Sequence, residues 1–291
     1  MRKKFLFGKE WFFEETAKLG ESQSFAWGVI PEKVIFSGKT PYQHIEIFDT
    51  ADFGRMLVLD GLIQLCTKYE YVYHEMLVHP ALLYHPHPRR VLIIGGGDGG
   101  AVREAVKHPL EEVALVDIDK RVIDVSRKYL PTVSAGAFRD PRVKIYNEDA
   151  VNFIKRYPGY FDVIINDSTD EYGPSHPLWS SAFYKGISGA LRRRGIAGFQ
   201  TAYFREGFAK KARKAIRGLF SFFKVHRAYI GCFPFDECTF SFASQTVDLA
   251  RVSRKTLRER YTKAGIQTRY YSPDVHFASG VIPGERILNN R

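Results

Sequence analysis

The chain has 291 residues, enough for one large α/β unit with a small appendage. Hydrophobic residues make up 45% and charged residues 26%, the balance of a soluble globular protein, and no apolar run nears the roughly 18 residues of a membrane span. The net charge of +11 raises nucleic-acid binding, but the excess sits in Arg192-Arg193-Arg194 and in 210–217, where apolar residues recur at helical spacing as on the solvated face of an amphipathic helix.

The start, Met1 to Glu10, is basic, with an apolar stretch too short for a signal-peptide core and no small-residue cleavage site; a cytoplasmic protein is expected. Residues 24–65 then alternate as strands do. Val34-Ile35-Phe36-Ser37 leads to a turn at Gly38-Lys39-Thr40-Pro41, followed by 42–49 and by 55–60 before Gly61. These hairpins predict a small antiparallel sheet. Tyr69, Val72, Tyr73 and Met76 stand at helical spacing and predict a helix over 69–84.

From residue 90 the rhythm changes. Strands are predicted at 91–94, 112–117, 143–146, 161–166, 196–201, 225–230 and 238–244, with helices between most of them. Such alternation predicts a mostly parallel sheet covered on both faces, a Rossmann-like α/β fold of the class I methyltransferase type. The boundary falls near residue 66, giving an N-terminal β unit over 1–66 and a catalytic unit over 67–291. Cys66, Cys232 and Cys238 are odd in number and lack CxxC spacing, which argues against a disulfide framework or a zinc site. They read as buried thiols, with a Cys232–Cys238 pair the alternative.

The first strand of the large unit, Val91-Leu92-Ile93-Ile94, runs into Gly95-Gly96-Gly97-Asp98-Gly99-Gly100. A glycine loop between strand and helix lets the backbone approach a nucleotide, in dinucleotide enzymes and methyltransferases alike. The second strand ends in Asp117, about twenty residues on, where a carboxylate accepts hydrogen bonds from ribose hydroxyls. Asp149, after the third strand, either reaches an adenine amino group or caps the helix starting at Ala150, or does both. Asp98 inside the loop repels a pyrophosphate and equally the carboxylate of S-adenosylmethionine. It attracts an ammonium group, unless it serves only as a helix cap. The fourth strand delivers Asp167, Asp170 and Glu171, three carboxylates in five residues without an interleaved cation. They form an acidic patch at the strand edge where ligands bind, or else a capped turn.

Several ordered motifs carry a resemblance. They are Tyr42-Gln43, Asp60-Gly61-Leu62-Ile63-Gln64, Tyr73-His74-Glu75-Met76, Val91 to Gly100, Asp117-Ile118-Asp119, Lys128 to Pro131, Asp167-Ser168-Thr169-Asp170 with Gly173-Pro174, and Tyr270 to His276. From about residue 34 to about 278 the chain resembles the spermidine synthase family of polyamine aminopropyltransferases. The resemblance implies transfer of an aminopropyl group from decarboxylated S-adenosylmethionine to an amine, releasing methylthioadenosine. It implies Asp167 as proton acceptor. Tyr73, His74, Asp98 and Asp170 join it around the amine groups. Gln43, Gln64, Gly95, Gly97, Asp98, Asp117, Asp149, Ala150 and Pro174 would hold the donor. It further implies no metal, no prosthetic group, and a homodimer or homotetramer joined through the N-terminal sheet. Four residues depart from the family pattern: Asp117 stands for Glu, Ala150 for Gly, Tyr69 for Asp, and Glu171 for Pro.

In such a reaction the amine attacks the carbon on the sulfonium. An alkyl ammonium of pKa about 10.4 lacks a lone pair, so a carboxylate must bind the cation and take its proton. Asp170 and Glu171 would hold the chain or its distal charge, and Tyr73 and Trp27 are candidates for a dry aromatic wall. The alternative is an S-adenosylmethionine-dependent amine N-methyltransferase. A nucleic-acid-binding protein without catalysis is a rival that the acid set argues against. The acceptor is read from residues 231–240, where the family's usual tyrosine-bearing loop is shorter and adds Asp236 and Glu237. Either these acids pair with a distant charge, as on spermidine or agmatine, or they sit on a solvated turn and leave putrescine as acceptor.

Overall fold

In the computed structural model, residues 2–14, 26–204 and 207–282 are described. Residues 24 and 25 of the predicted strand region lie outside them, as do residue 1 and residues 283–291 at the outer ends of the two predicted units.

The chain opens with a hairpin that the sequence pattern does not announce. β1 (Arg2–Leu6) and β2 (Lys9–Phe13) pair antiparallel across Phe7-Gly8, whose φ angles are 51° and 73°. Two-residue hairpin turns need this left-handed backbone, and Phe is an uncommon residue for it. β3 (Gly28–Val29) adds to β2. The predicted antiparallel sheet follows as β4 (Lys33–Lys39), β5 (His44–Thr50), β6 (Gly54–Leu59) and β7 (Leu62–Cys66), paired in chain order.

Helix α1 (Glu70–Tyr84) is buried nearly all round. It therefore runs through the interior, and it buries Glu70, His74, Glu75 and His79 along with its apolar residues. Then come β8 (Arg90–Gly95), α2 (Gly100–Val106), β9 (Glu112–Val116), α3 (Lys120–Tyr129), α4 (Pro131–Ser134), β10 (Val143–Tyr146) and α5 (Ala150–Phe153). The chain continues through β11 (Phe161–Asp167), α6 (Ser181–Ala190), β12 (Leu191–Tyr203), α7 (Gly207–Leu219), β13 (Phe222–Ala228), β14 (Cys238–Ser244), α8 (Arg254–Ala264) and α9 (Pro273–Ser279). All seven predicted strands of the large sheet are present. β12 is longer than predicted because it begins before the exposed Arg192-Arg193-Arg194.

The large sheet has the order β10-β9-β8-β11-β12-β14-β13. Its first five strands are parallel, and β14 runs antiparallel to both neighbours. This is the Rossmann-like arrangement of the class I methyltransferase type. The chain winds outward from β8 to β10, then returns to the other side of β8 with β11. Such a reversal opens a crevice at the carboxyl ends of the strands.

Two apolar layers cover the sheet, one around α1 and α2, the other around α5, α6 and α7. A third cluster packs Ile45, Ile47, Leu57 and Leu59 of the small sheet on Val122 and Val125 of α3 and on Leu130 and Val133 around α4. This contact holds the small sheet over the crevice. On α7, Ala209, Ala212 and Ile216 are buried while Lys210, Lys211, Lys214 and Arg217 are exposed, as the amphipathic pattern requires. Among the described residues, no helix is long and apolar enough to cross a membrane.

Candidate active site

Four adjacent parallel strands each deliver an acid to the crevice. β8 runs into the glycine loop with Asp98, β9 into Asp117, β10 into Asp149, and β11 ends on Asp167. The crevice holds a cavity lined by Gln43, Gln64, Gly95, Gly97, Asp98, Asp117, Asp149, Ala150 and Pro174, together with Tyr73, His74 and Asp167. Residues scattered over some 130 positions of sequence are thus brought to one place, with Leu57, Leu59, Val116 and Leu178 supplying apolar walls. The loop passes tightly over β11. Gly96 has φ 69°, and a Cβ there would lie 2.7 Å from Asp167 Oδ2, so only glycine fits without displacement.

Asp167 is buried. The Tyr73 hydroxyl donates to its Oδ1 at 2.7 Å, and its Oδ2 has no hydrogen-bond partner. Burial and the neighbouring Asp98 charge raise its pKa to about 6. Asp98 accepts the Gly100 amide at 2.7 Å and faces His74 Nε2 at 3.3 Å, both on Oδ1. It thus caps the loop and faces the cavity at once. Although burial opposes its charge, His74 holds its pKa below the usual carboxylate value.

Asp117 accepts the Asp119 amide at 2.8 Å, yet burial raises its pKa to about 7. Asp119 in turn takes the Gln43 side-chain amide at 3.0 Å and the Thr40 hydroxyl at 2.8 Å. This fixes which way Gln43 faces. Asp149 caps α5 through Val151 N at 2.8 Å and also accepts from Asn152 at 2.9 Å, while lining the cavity.

His74, Asp98 and Asp167 bring one ligating atom each within 4.8 Å of the others. Both His74 ring nitrogens already face carboxylates, Glu70 at 2.6 Å and Asp98 at 3.3 Å. A ring that donates on both sides would offer no lone pair to a metal ion.

A second cavity adjoins the first and shares Gln43, Gln64, Tyr73, Ser168, Thr169 and Pro174 with it. Asp170 lines only this second cavity. Gln200 bridges the Ser168 carbonyl at 2.8 Å and Asp170 Oδ1 at 3.2 Å, and its own oxygen accepts the Ala202 amide at 2.8 Å. Ala202 has φ 47° at a bulge of β12. Tyr203, Phe233 and Phe235 form an aromatic wall, with ring centroids 6.4 and 6.3 Å apart about Tyr203. Glu14 and Asp60 are further carboxylates of this cavity.

Three acids singled out in the sequence do not line either cavity. Glu171 faces His176 at 3.6 Å instead of the space beside Asp170. Glu237 pairs with Arg227, and Asp236 accepts the Glu237 amide at 2.8 Å, so both belong to the turn. Trp27 packs edge-on against Phe53 at 5.6 Å and also lies outside the cavities, a core role. Cys232 stands beside Cys66, not Cys238 alone, and all three thiols are free and buried. Glu14 and Gln200 had no local signal. One follows a hairpin with an unrecognised turn, and the other is an ordinary strand residue until β12 meets β11.

Two family models match the chain: a spermine/spermidine synthase domain over residues 70–254 and a spermidine synthase tetramerisation domain over residues 10–67. A polyamine aminopropyltransferase of Desulforudis audaxviator is 39% identical over 284 residues, covering 97% of this chain and 98% of that protein. Polyamine aminopropyltransferase 1 of Aquifex aeolicus is 41% identical over 247 residues, 84% of this chain and 85% of that protein. Among solved structures, a spermidine synthase in complex with the transition state analogue AdoDATO superposes with a TM-score of 0.87 at 34% identity, covering 94% of this chain and 92% of that one. The spermidine synthase of Thermotoga maritima gives 0.85 at 35% identity, covering 94% and 91%.

Proposed function

The chain belongs to the spermine/spermidine synthase family, and from that premise we propose that its two joined cavities bind decarboxylated S-adenosylmethionine and an amine, with Asp167 taking the amine's proton. It is a transferase of the polyamine aminopropyltransferase kind. The observation that carries the proposal is the unpartnered, buried Oδ2 of Asp167, close to where the two cavities meet.

The proposed donor lies in the first cavity. Asp117 accepts its ribose hydroxyls, Asp149 and Ala150 border its base, and Asp98 pairs with the aminopropyl ammonium. The amine enters the second cavity, where Asp170 holds it and Glu14 or Asp60 meets its far charge. Asp167 Oδ2 removes one proton from the attacking ammonium, leaving a neutral nucleophile. The nitrogen then bonds to the carbon on sulfur, the carbon–sulfur bond breaks, and methylthioadenosine leaves with the electron pair. Tyr73 keeps Oδ1 occupied, so Oδ2, beneath Gly96, is the oxygen left without a hydrogen bond.

The second cavity's carboxylates, rather than the turn acids 236 and 237, are the basis for an acceptor with two or more positive charges. Spermidine, agmatine and putrescine all meet that description. An N-methyltransferase is not favoured, since the similar proteins are named for aminopropyl transfer. We further assign residues 1–66 to an assembly unit and 67–291 to a catalytic unit, in a homodimer or homotetramer. The tetramerisation description of the family model over residues 10–67 and the exposed Phe5 and Phe7 support this assignment.

The test is product analysis by mass spectrometry after incubation with the decarboxylated donor and equimolar putrescine, agmatine and spermidine. Methylthioadenosine and an amine heavier by one aminopropyl group are expected. Methylated amine from S-adenosylmethionine, with no aminopropyl product, would sink the reading. Asp167→Asn is expected to lower kcat by about 10²–10⁴ with donor binding retained.

A further inference from the structure

Behind Asp98 lies a buried chain of charged groups that the reaction as derived does not use. His74 is 2% exposed and Glu70 5%. Glu70 Oε2 meets His74 Nδ1 at 2.6 Å. Arg103 on α2 clamps both Glu70 oxygens at 2.8 and 2.9 Å, and donates to Glu104 at 2.7 Å. Glu104 is met by Lys107 at 2.6 Å and by His79 at 2.9 Å. Gly100 makes room for this stack, since a Cβ there would come within 2.2 Å of the His74 ring.

We propose that Glu70, itself held by Arg103, is a positioning residue: it fixes His74 as an imidazolium facing Asp98 Oδ1, so that Asp98 and Asp167 are ionised before a cationic substrate arrives. The geometry favours this protonation state. With a carboxylate against each ring nitrogen, a neutral ring turns a lone pair toward one of them, whereas the imidazolium satisfies both. The charged groups facing His74 are Glu70 on its own helix, Asp98 on the loop, Arg103 on α2 and Asp167 at the end of β11, with Tyr73 adjacent. Burial disfavours the imidazolium, but Asp98 and Glu70 outweigh it and raise the pKa well above the ordinary histidine value. The His74 charge in turn lowers the pKa values of Asp98 and Asp167.

Two measurements test this on the full-length protein. In the first, histidine ring ¹⁵N shifts are followed from pH 5 to 9, with His74 assigned by the His74→Gln variant. In the wild type the His74 ring stays doubly protonated through pH 8. In Glu70→Gln its titration falls to about 6 or below, with Glu70→Asp intermediate. A wild-type His74 that titrates near 6.5, or the same titration in wild type and Glu70→Gln, would overturn the proposal. The wild-type arm stands even if Glu70→Gln fails to fold.

In the second, the pH profile of kcat/KM is recorded. Loss of the imidazolium raises the pKa of Asp167, so the acid limb of Glu70→Gln moves up by about one pH unit. Lower activity with an unmoved limb would mark Glu70 as packing only. The kinetic arm rests on the proposed function; the ring titration does not, so their failures are distinguishable.

Discussion

Asp167 and Asp117 are both acids whose ordinary pKa values are displaced upward by burial, yet they meet different demands. Asp167 must be ionised to act as a base. With its pKa near 6, kcat/KM for the amine at saturating donor is expected to fall tenfold per pH unit below about 6 and to level off above it. Tyr73→Phe deletes the hydrogen bond that favours the ionised form and leaves Oδ1 without its donor. Its acid limb should shift upward by about half a unit to one unit, with kcat lower by about tenfold; an unshifted limb would remove Tyr73 from the role given to it. Asp117, near 7, is part-protonated at neutral pH before ligand binds. Ribose hydroxyls donate to a carboxylate, so nucleoside binding should release a proton and weaken as pH falls from 8 to 6. Calorimetry of methylthioadenosine binding in two buffers of different ionisation enthalpy would detect that proton; identical heats in both would contradict it.

Elements that depend on local chemistry were readable in the sequence, and those that depend on meeting a distant partner were not. The apolar run 91–94 with its glycines gave β8, and Asp60-Gly61 supplied the left-handed turn between β6 and β7, with φ 50° and 83°. Asp98, Asp117, Asp149 and Asp167 were found together because each ends a strand of the same parallel set, an edge that topology alone makes a binding crevice. On the acceptor side Glu171 lies outside both cavities, and of the two readings of Asp236 and Glu237 the structure fits the turn. A turn's acids look the same in sequence whether they face a cavity or, as Glu237 does, an arginine on the neighbouring strand. Glu14, carried by the hairpin, has the better geometric claim. Glu14→Gln is expected to raise the amine KM by about tenfold with kcat nearly unchanged, whereas Asp236→Asn with Glu237→Gln should leave KM within about twofold. Steady-state kinetics with each acceptor separates the two, and the opposite ranking would return the choice to the turn.

At the scale of the molecule, the basic excess has its place away from the crevice. Lys210, Lys211, Lys214 and Arg217 lie on the solvent side of α7, and Arg192 to Arg194 are exposed at the start of β12, while the crevice is acidic. This separation would let a protein of charge +11 admit the proposed cationic amine. Phe5 and Phe7 are 76% and 91% exposed on the first hairpin, large apolar groups that a second copy of the chain would cover. Replacing both with Ser should shift the assembly toward monomer in sedimentation velocity at micromolar protein; an unchanged distribution would place the contact elsewhere.

That hairpin has a second end. Glu14 follows directly on β2, and its Oε1 accepts the Ile63 amide at 2.8 Å, so the strand pair that exposes Phe5 and Phe7 at its tip carries at its base the carboxylate proposed to meet the amine. Association that steadies the tip also steadies the base. Turnover per active site should therefore climb with enzyme concentration at sub-saturating amine and become independent of it at saturating amine. Dilution would then act on this enzyme as a competitive inhibitor does.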